Sequence, residues 1–238
     1  MTTHHGVCPT AGVRRRNLLR SVTAGLVALL LAAAGPGAAV AQSDGRPSGE
    51  ALADGAAKYI TELSRTAIDR LGAEDISAAE RAEAGRALLE KNFAGRDLAR
   101  FVLGRYWRVA SESQRARFMT LLREVALTRF LPTFQRMSMD QVTIERSIAD
   151  PQADGVARVI TRVDAPDRAP AKLAWRVRPT DDGSYEIVDI MAEGVSMAIT
   201  LRSEYSSVIE QNGGRVEALL SRLEQRLQSE SAPEWAQN

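Results

Sequence analysis

Few side chains in this chain can do covalent chemistry. Its only cysteine, Cys8, and both histidines, His4 and His5, lie within the first eight residues. Beyond them there is no thiol nucleophile and no imidazole base, so a His/Cys metal site or a His-dependent triad has no candidate residues there. Acids and tyrosines remain. Asp189 and Glu193 are close in sequence, but two acids at that spacing arise often by chance, and they make a poor catalytic pair. Asp189 could equally hydrogen-bond across a strand end, pair with Arg202, or face solvent. Arg100, Arg105 and Arg108 could meet a phosphate, or form a solvated basic face. The residue types thus favour binding over catalysis and call for no metal or cofactor.

The N-terminus reads as an export signal. Arg14, Arg15, Arg16 and Arg20 precede an apolar run from Val22 to Ala34; Gly35-Pro36-Gly37 follows, then Ala39-Val40-Ala41 as an A-x-A cleavage site. The run is short of the roughly 20 residues that span a bilayer. The arginines also fit a twin-arginine pattern, so either that route or the general secretory route is open. Residues 1–41 are therefore expected to be a signal peptide, 42–49 a flexible linker, 50–228 one domain and 229–238 a tail. From residue 42 onward, 27 of the 31 Lys and Arg face all 30 Asp and Glu, a formal charge of −3. That balance argues against nucleic acid as a partner. No concentrated basic cluster is visible in the sequence.

Several elements must position whatever the domain binds. Leu173, Trp175 and Val177 alternate with Lys172, Arg176 and Arg178, the period of a half-buried strand. Thr180-Asp181-Asp182-Gly183 is a turn, and Tyr185–Met191 a second strand, giving a hairpin. Gly194 breaks it, helical spacing runs from Val195, and Asn212-Gly213-Gly214 ends that helix. Upstream, Val142–Ile148 and Ala157–Val163 read as strands, with turns at Pro151–Gly155 and Pro166–Pro170. Earlier residues are helical: from about Glu50 to Leu71, after the capping box Ser77-Ala78-Ala79-Glu80, from Leu98 to Leu103 with Asp97 as cap and Gly104 as stop, and from Ser111-Glu112-Ser113-Gln114 to Pro132. A last amphipathic helix carries Val216, Leu219, Leu220, Leu223 and Leu227. Segregated helices and strands predict an α+β fold, an antiparallel four-stranded sheet with helices on one face.

Two separated motifs give this pattern a family. Val188-Asp189-Ile190, Gly194-Val195-Ser196-Met197, Arg202, Tyr205 and Gly213-Gly214 resemble the C-terminal signature of the MlaC family. Ala99-Arg100-Phe101-Val102-Leu103-Gly104-Arg105-Tyr106-Trp107-Arg108 and Gln114-Arg115-x-x-Phe118 resemble its central segment. The likeness spans roughly residues 50 to 227; Tyr205 departs from it, standing where Phe is frequent. The resemblance implies an NTF2-like cavity between sheet and helices, holding the acyl chains of a phospholipid. It implies a periplasmic carrier, an auxiliary component in toluene tolerance and outer-membrane lipid asymmetry. Its partners would be an outer-membrane lipoprotein complex and an inner-membrane ABC transporter with an MCE-domain ring. One branch of the family accompanies hopanoid synthesis. Under this reading Val159, Val163, Leu173, Trp175 and Val177 could floor the cavity, and Phe101, Val102, Phe118, Leu122, Met191 and Met197 could roof it. Two other classes stay open: an NTF2-like enzyme using carboxylates or Tyr, and an interaction protein whose interior is only a packed core.

Overall fold

The computed structural model describes residues 48–165 and 168–231; the expected signal peptide and most of the tail lie outside them. Ser48 opens helix α1 (Gly49–Gly72), its hydroxyl accepting from the Ala51 N–H. Helix α2 (Ala78–Asn92) starts at the Ser77–Glu80 capping box. Helix α3 (Gly95–Leu103) ends at Gly104, whose φ of 54° suits glycine. A short helix α4 (Tyr106–Val109) leads to α5 (Glu112–Phe134), which the Ser111–Gln114 box caps. A 3₁₀ turn at Met139–Gln141 then delivers the chain to the sheet.

Five strands, rather than the four expected, form one antiparallel meander: β1 (Val142–Ala149), β2 (Ala157–Ala165), β3 (Arg168–Pro179), β4 (Tyr185–Ala192) and β5 (Val195–Ser196). The extra strand arises because Glu193 and Gly194 both take positive φ, 48° and 81°, the conformation of a tight two-residue hairpin. Val195 therefore pairs with Ala192 before helix α6 (Met197–Gln211) begins. Helix α7 (Val216–Ser231) closes the described chain.

Three further expectations shift. Pro132 lies inside α5, two residues before its end, not at its stop. Asp97 does not cap α3. That helix starts at Gly95, because Ala94 is pinned to β4 by its N–H on the Ile187 carbonyl, and Asp97 instead takes Arg178 at 2.6 Å. Strand β3 begins at Arg168, so the turn before it is shorter than Pro166–Pro170. The Phe93–Ile187 bridge covers the part of the β4 edge that β5 leaves open, which shields an otherwise reactive row of backbone groups.

Register divides the sheet into two unlike faces. Ala157, Val159, Thr161 and Val163 stand opposite Val177, Trp175, Leu173 and Ala171 on the inner face. Helix α1 lies across it, and Leu52, Ala56 and Ile60 form one buried cluster with Ala157, Val159, Val177 and Ile187. Ser147 fixes the helix by donating to the Ala53 carbonyl at 2.6 Å. At Gly55 an added Cβ would meet the Tyr185 hydroxyl at 2.0 Å, so the helix approaches the sheet only because glycine stands there.

The outer face mixes apolar residues such as Ile148, Ile160 and Ala174 with charged ones. Arg158 and Arg176 converge on buried Asp150 at 2.9 and 2.7 Å, and Lys172 pairs with Glu145 at 3.1 Å. Burial alone would raise the Asp150 pKa; the Gln152 N–H and the two guanidiniums outweigh it and hold the carboxyl below its usual range.

A second apolar cluster is wholly helical. Val102, Leu103, Phe118, Leu121, Tyr205, Ile209 and Leu219 belong to it, drawn from α3, α5, α6 and α7. Arg117 braces it from outside, gripping Glu224 with two nitrogens and Glu217 with a third. The two clusters are separate, where a domain of this size ordinarily builds one contiguous core.

Candidate functional site

Burial changes along the inner face. At one end Ala157, Val159, Val177 and Ile187 are sealed beneath α1. Toward the other end Trp175, Leu173 and Val163 are only half-buried, and so are Ile144, Ile190 and Leu63 around them. These are large apolar groups held at an inner surface, yet not closed over by protein. Leu63, Ile144, Trp175 and Ile190 pack against the edge of the α1 cluster, and Leu173 and Val163 continue the same face by register, so the natural complement of this end is more hydrocarbon.

Trp175 is fixed within that surface. Its Nε1–H donates to Thr161 Oγ1 at 3.0 Å, across the β2–β3 pair. Thr161 is only 1% exposed, so each polar atom satisfies the other in an apolar setting. Val159, opposite Trp175 in register, supports the ring from the sealed end. At the sheet's α1 side Tyr59 and Tyr185 lie 5.7 Å apart, ring to ring. The Tyr59 hydroxyl donates to Asn92 Oδ1 at 3.0 Å, and burial, then the Glu186 charge, push its pKa upward. It stays a neutral donor throughout the physiological range.

The predicted floor and roof separate in space. Val159, Val163, Leu173, Trp175 and Val177 share the inner face, as their alternation requires. Val102 and Phe118 are sealed in the helical cluster, and Leu122 packs against its edge. Phe101 is 42% exposed and lies under the Arg202 guanidinium, 5.1 Å from its ring centre, so it lines a surface cleft. Met191 falls on the outer face: it pairs with Ala174, next to the inward pair Trp175–Ile190. Met197 is half-buried at the first position of α6. Sequence reading did not place Thr161, Ile144, Ile190 or Leu63 in the lining. Ile144 and Ile190 carry the strand period, but their match to Thr161 and Trp175 depends on bulges at Glu145 and Val188.

The acids are occupied. Asp189 Oδ2 accepts from Ser196 Oγ at 2.6 Å, and Oδ1 accepts from the Ala198 and Ile190 N–H groups at 3.1 and 2.9 Å. It thus ties β4 to the start of α6, the strand-end alternative of the sequence reading; Arg202 is not its partner. Glu193 accepts from the Lys172 N–H at 2.7 Å and braces the adjoining turn. Neither carboxylate is presented to the half-buried surface. Among the described residues, no group of His, Cys, Asp and Glu is arranged to hold a metal ion, and no helix is long and apolar enough to cross a membrane.

Comparison with known proteins agrees with this architecture. One solved structure, the phospholipid-binding protein from Ralstonia solanacearum in complex with a phospholipid, superposes with a TM-score of 0.63 at 16% identity, covering 74% of this chain and 99% of that one. No curated protein matches the sequence. The sequence model of the MlaC protein family matches residues 61–225, which takes in every strand, the second half of α1, all of α2 to α6 and most of α7. The chain belongs to the MlaC family.

Proposed function

We propose that the protein is a non-catalytic, periplasmic lipid carrier that binds phospholipid by its acyl chains. The observation that carries this reading is the half-buried apolar end of the inner face, Leu63, Ile144, Val163, Leu173, Trp175 and Ile190, lying apart from the sealed helical cluster. Family membership and the likeness in fold to a phospholipid complex support it. Burying about ten methylenes releases about 8 kcal/mol, the free energy of a micromolar complex before the costs of association. No chemistry is needed for such a drive. The carrier would be exported by its cleaved N-terminal segment, through the twin-arginine or the general secretory route. It would pass lipid between an outer-membrane lipoprotein complex and an inner-membrane ABC transporter bearing an MCE ring.

Purified protein from the periplasm tests this directly. Its intact mass is expected to begin at Gln42, and solvent extraction to release phospholipid identifiable by mass spectrometry. Release of a hopanoid would move the ligand to the family's side branch. Protein that carries no lipid and cannot be loaded from phospholipid micelles would refute the carrier reading.

A further inference from the structure

The helical half of the molecule holds a second, unlike site. A cleft of about 540 Å³ opens at the α3–α4 junction against α6, lined by Arg100, Phe101, Gly104, Arg105, Arg108 and Arg202, with Asp97 and Trp107 beside them. Four exposed arginines line this one concavity, where their like charges disfavour one another unless anions compensate them. Protein carboxylates do so only in part. Arg105 is engaged by Glu210 at 2.7 Å and by the Tyr106 hydroxyl at 2.8 Å. Asp97, the acid in the lining, is taken by Arg178. Arg100, Arg108 and Arg202 have no ion-pair partner among the described residues.

Arg202 is held in place without one. Its guanidinium stacks over Phe101 and lies against the backbone at Gly104, where an added Cβ would sit 3.1 Å from both Nε and Nη2. The residue that lets the chain turn at φ 54° therefore also admits the guanidinium. A stacked, backbone-seated guanidinium is already ordered, so less entropy is lost when it grips a ligand.

We infer that this cleft binds a phosphate group borne on a small organic moiety. Three uncompensated cations exceed what one carboxylate needs and match a tetrahedral, multiply charged oxyanion. The volume exceeds that of a bare phosphate, and the open side of the Phe101 ring is apolar surface for the organic part. A flat anionic bilayer fits less well, because residues 42–238 carry a net charge of −3 and the cations line a concavity. The site is built from α3, α4 and α6, so it stands independently of the lipid-carrier reading. The phosphate could belong to a free metabolite or to a lipid head group.

Arginine side-chain NMR on the full mature protein separates these sources. Glycerol 3-phosphate and inorganic phosphate are titrated in a chloride buffer, and binding to phosphatidylglycerol and phosphatidylcholine vesicles is measured alongside. Saturable shifts on Arg100, Arg108 and Arg202, weakened about tenfold or more in Arg202→Gln and Arg100→Gln but not in the α7 variant Arg222→Gln, establish the site with a soluble ligand. Binding to phosphatidylglycerol vesicles alone, lost in the same two variants, establishes it with the head group as source. Shifts that do not saturate, or that chloride produces equally, overturn the inference. So does binding that survives both cleft substitutions. Co-purified lipid, measured on each variant, reports on the carrier function separately.

Discussion

Replacing Trp175 with alanine distinguishes a lipid-lined surface from a solid core. In a solid core the loss of an indole costs about 3–5 kcal/mol, the transfer term plus the void. Here the ring is half-buried, and its Nε1–H also satisfies Thr161 Oγ1 at 3.0 Å. Losing that bond adds about 1 kcal/mol with or without lipid, so it cancels in the comparison. The void does not cancel. An acyl chain beside Leu173 and Val163 can relax into the vacated space, and two or three methylenes sheltered there recover about 2 kcal/mol. Lipid-bound protein should therefore lose about 2 kcal/mol less than delipidated protein. At the stability scale of a domain this size, that difference is about 4–8 °C in Tm. The assay is thermal unfolding of wild type and Trp175→Ala, each as purified with lipid and after delipidation, with lipid content quantified in parallel. Equal deficits in both states, with unchanged lipid content, would refute the assignment and return Trp175 to ordinary core.

Other consequences follow from single residues. Tyr205 is buried against Phe118, ring centres 6.0 Å apart, and its hydroxyl has no hydrogen-bond partner among the described residues; Tyr205→Phe should therefore raise Tm by about 2–4 °C, corresponding to about 1 kcal/mol. A lower Tm in a calorimetric scan would mean that the hydroxyl is satisfied. Asp150→Asn removes the negative charge between Arg158 and Arg176 and turns one of their two acceptor oxygens into a donor, which should cost about 3 kcal/mol at pH 7 in denaturant unfolding. Because the folded carboxyl titrates below its unfolded value near 3.9, its contribution is fully present above about pH 4 and is lost as pH falls through the folded pKa. The gap between wild type and Asp150→Asn should accordingly close in acid; a gap unchanged at pH 3 would contradict the assignment. Gly55→Ala should weaken docking of α1 on Tyr185 and lower Tm, while Gly55→Ala combined with Tyr185→Phe should recover part of the loss, since the nearest clash is with the tyrosine oxygen.

What could be read in the sequence is what short-range physics decides. Both capping boxes, Ser77–Glu80 and Ser111–Gln114, form as written because their hydrogen bonds close within one helical turn. The inner face of β3 follows from alternation alone, and register then gives Trp175 its neighbours. Errors enter where a distant contact outweighs a local preference. Asp97 is a good cap by type, but Arg178 from β3 claims it, and Ala94 is fixed by β4 instead. Met191 carries the period of its strand, yet the bulge at Val188 sets which of its neighbours faces inward. The concavity of the basic cleft was not legible for the same reason. Arg100, Arg105 and Arg108 read equally as phosphate contacts or as a solvated face of one segment, and the residue that turns them into a concavity, Arg202, comes from the far side of the sheet in sequence. Its seat is Gly104, which the sequence marks as a helix stop. A cap residue and a binding-site residue can thus be one glycine, because the missing Cβ serves both the left-handed turn and the guanidinium above it. That dual use gives Gly104→Ala two linked effects: the Cβ strains the turn and pushes the Arg202 guanidinium off its seat, so Tm and phosphate affinity in the NMR titration should both fall, while lipid co-purified with the protein, held by the sheet and α1 around Trp175, should stay at the wild-type amount.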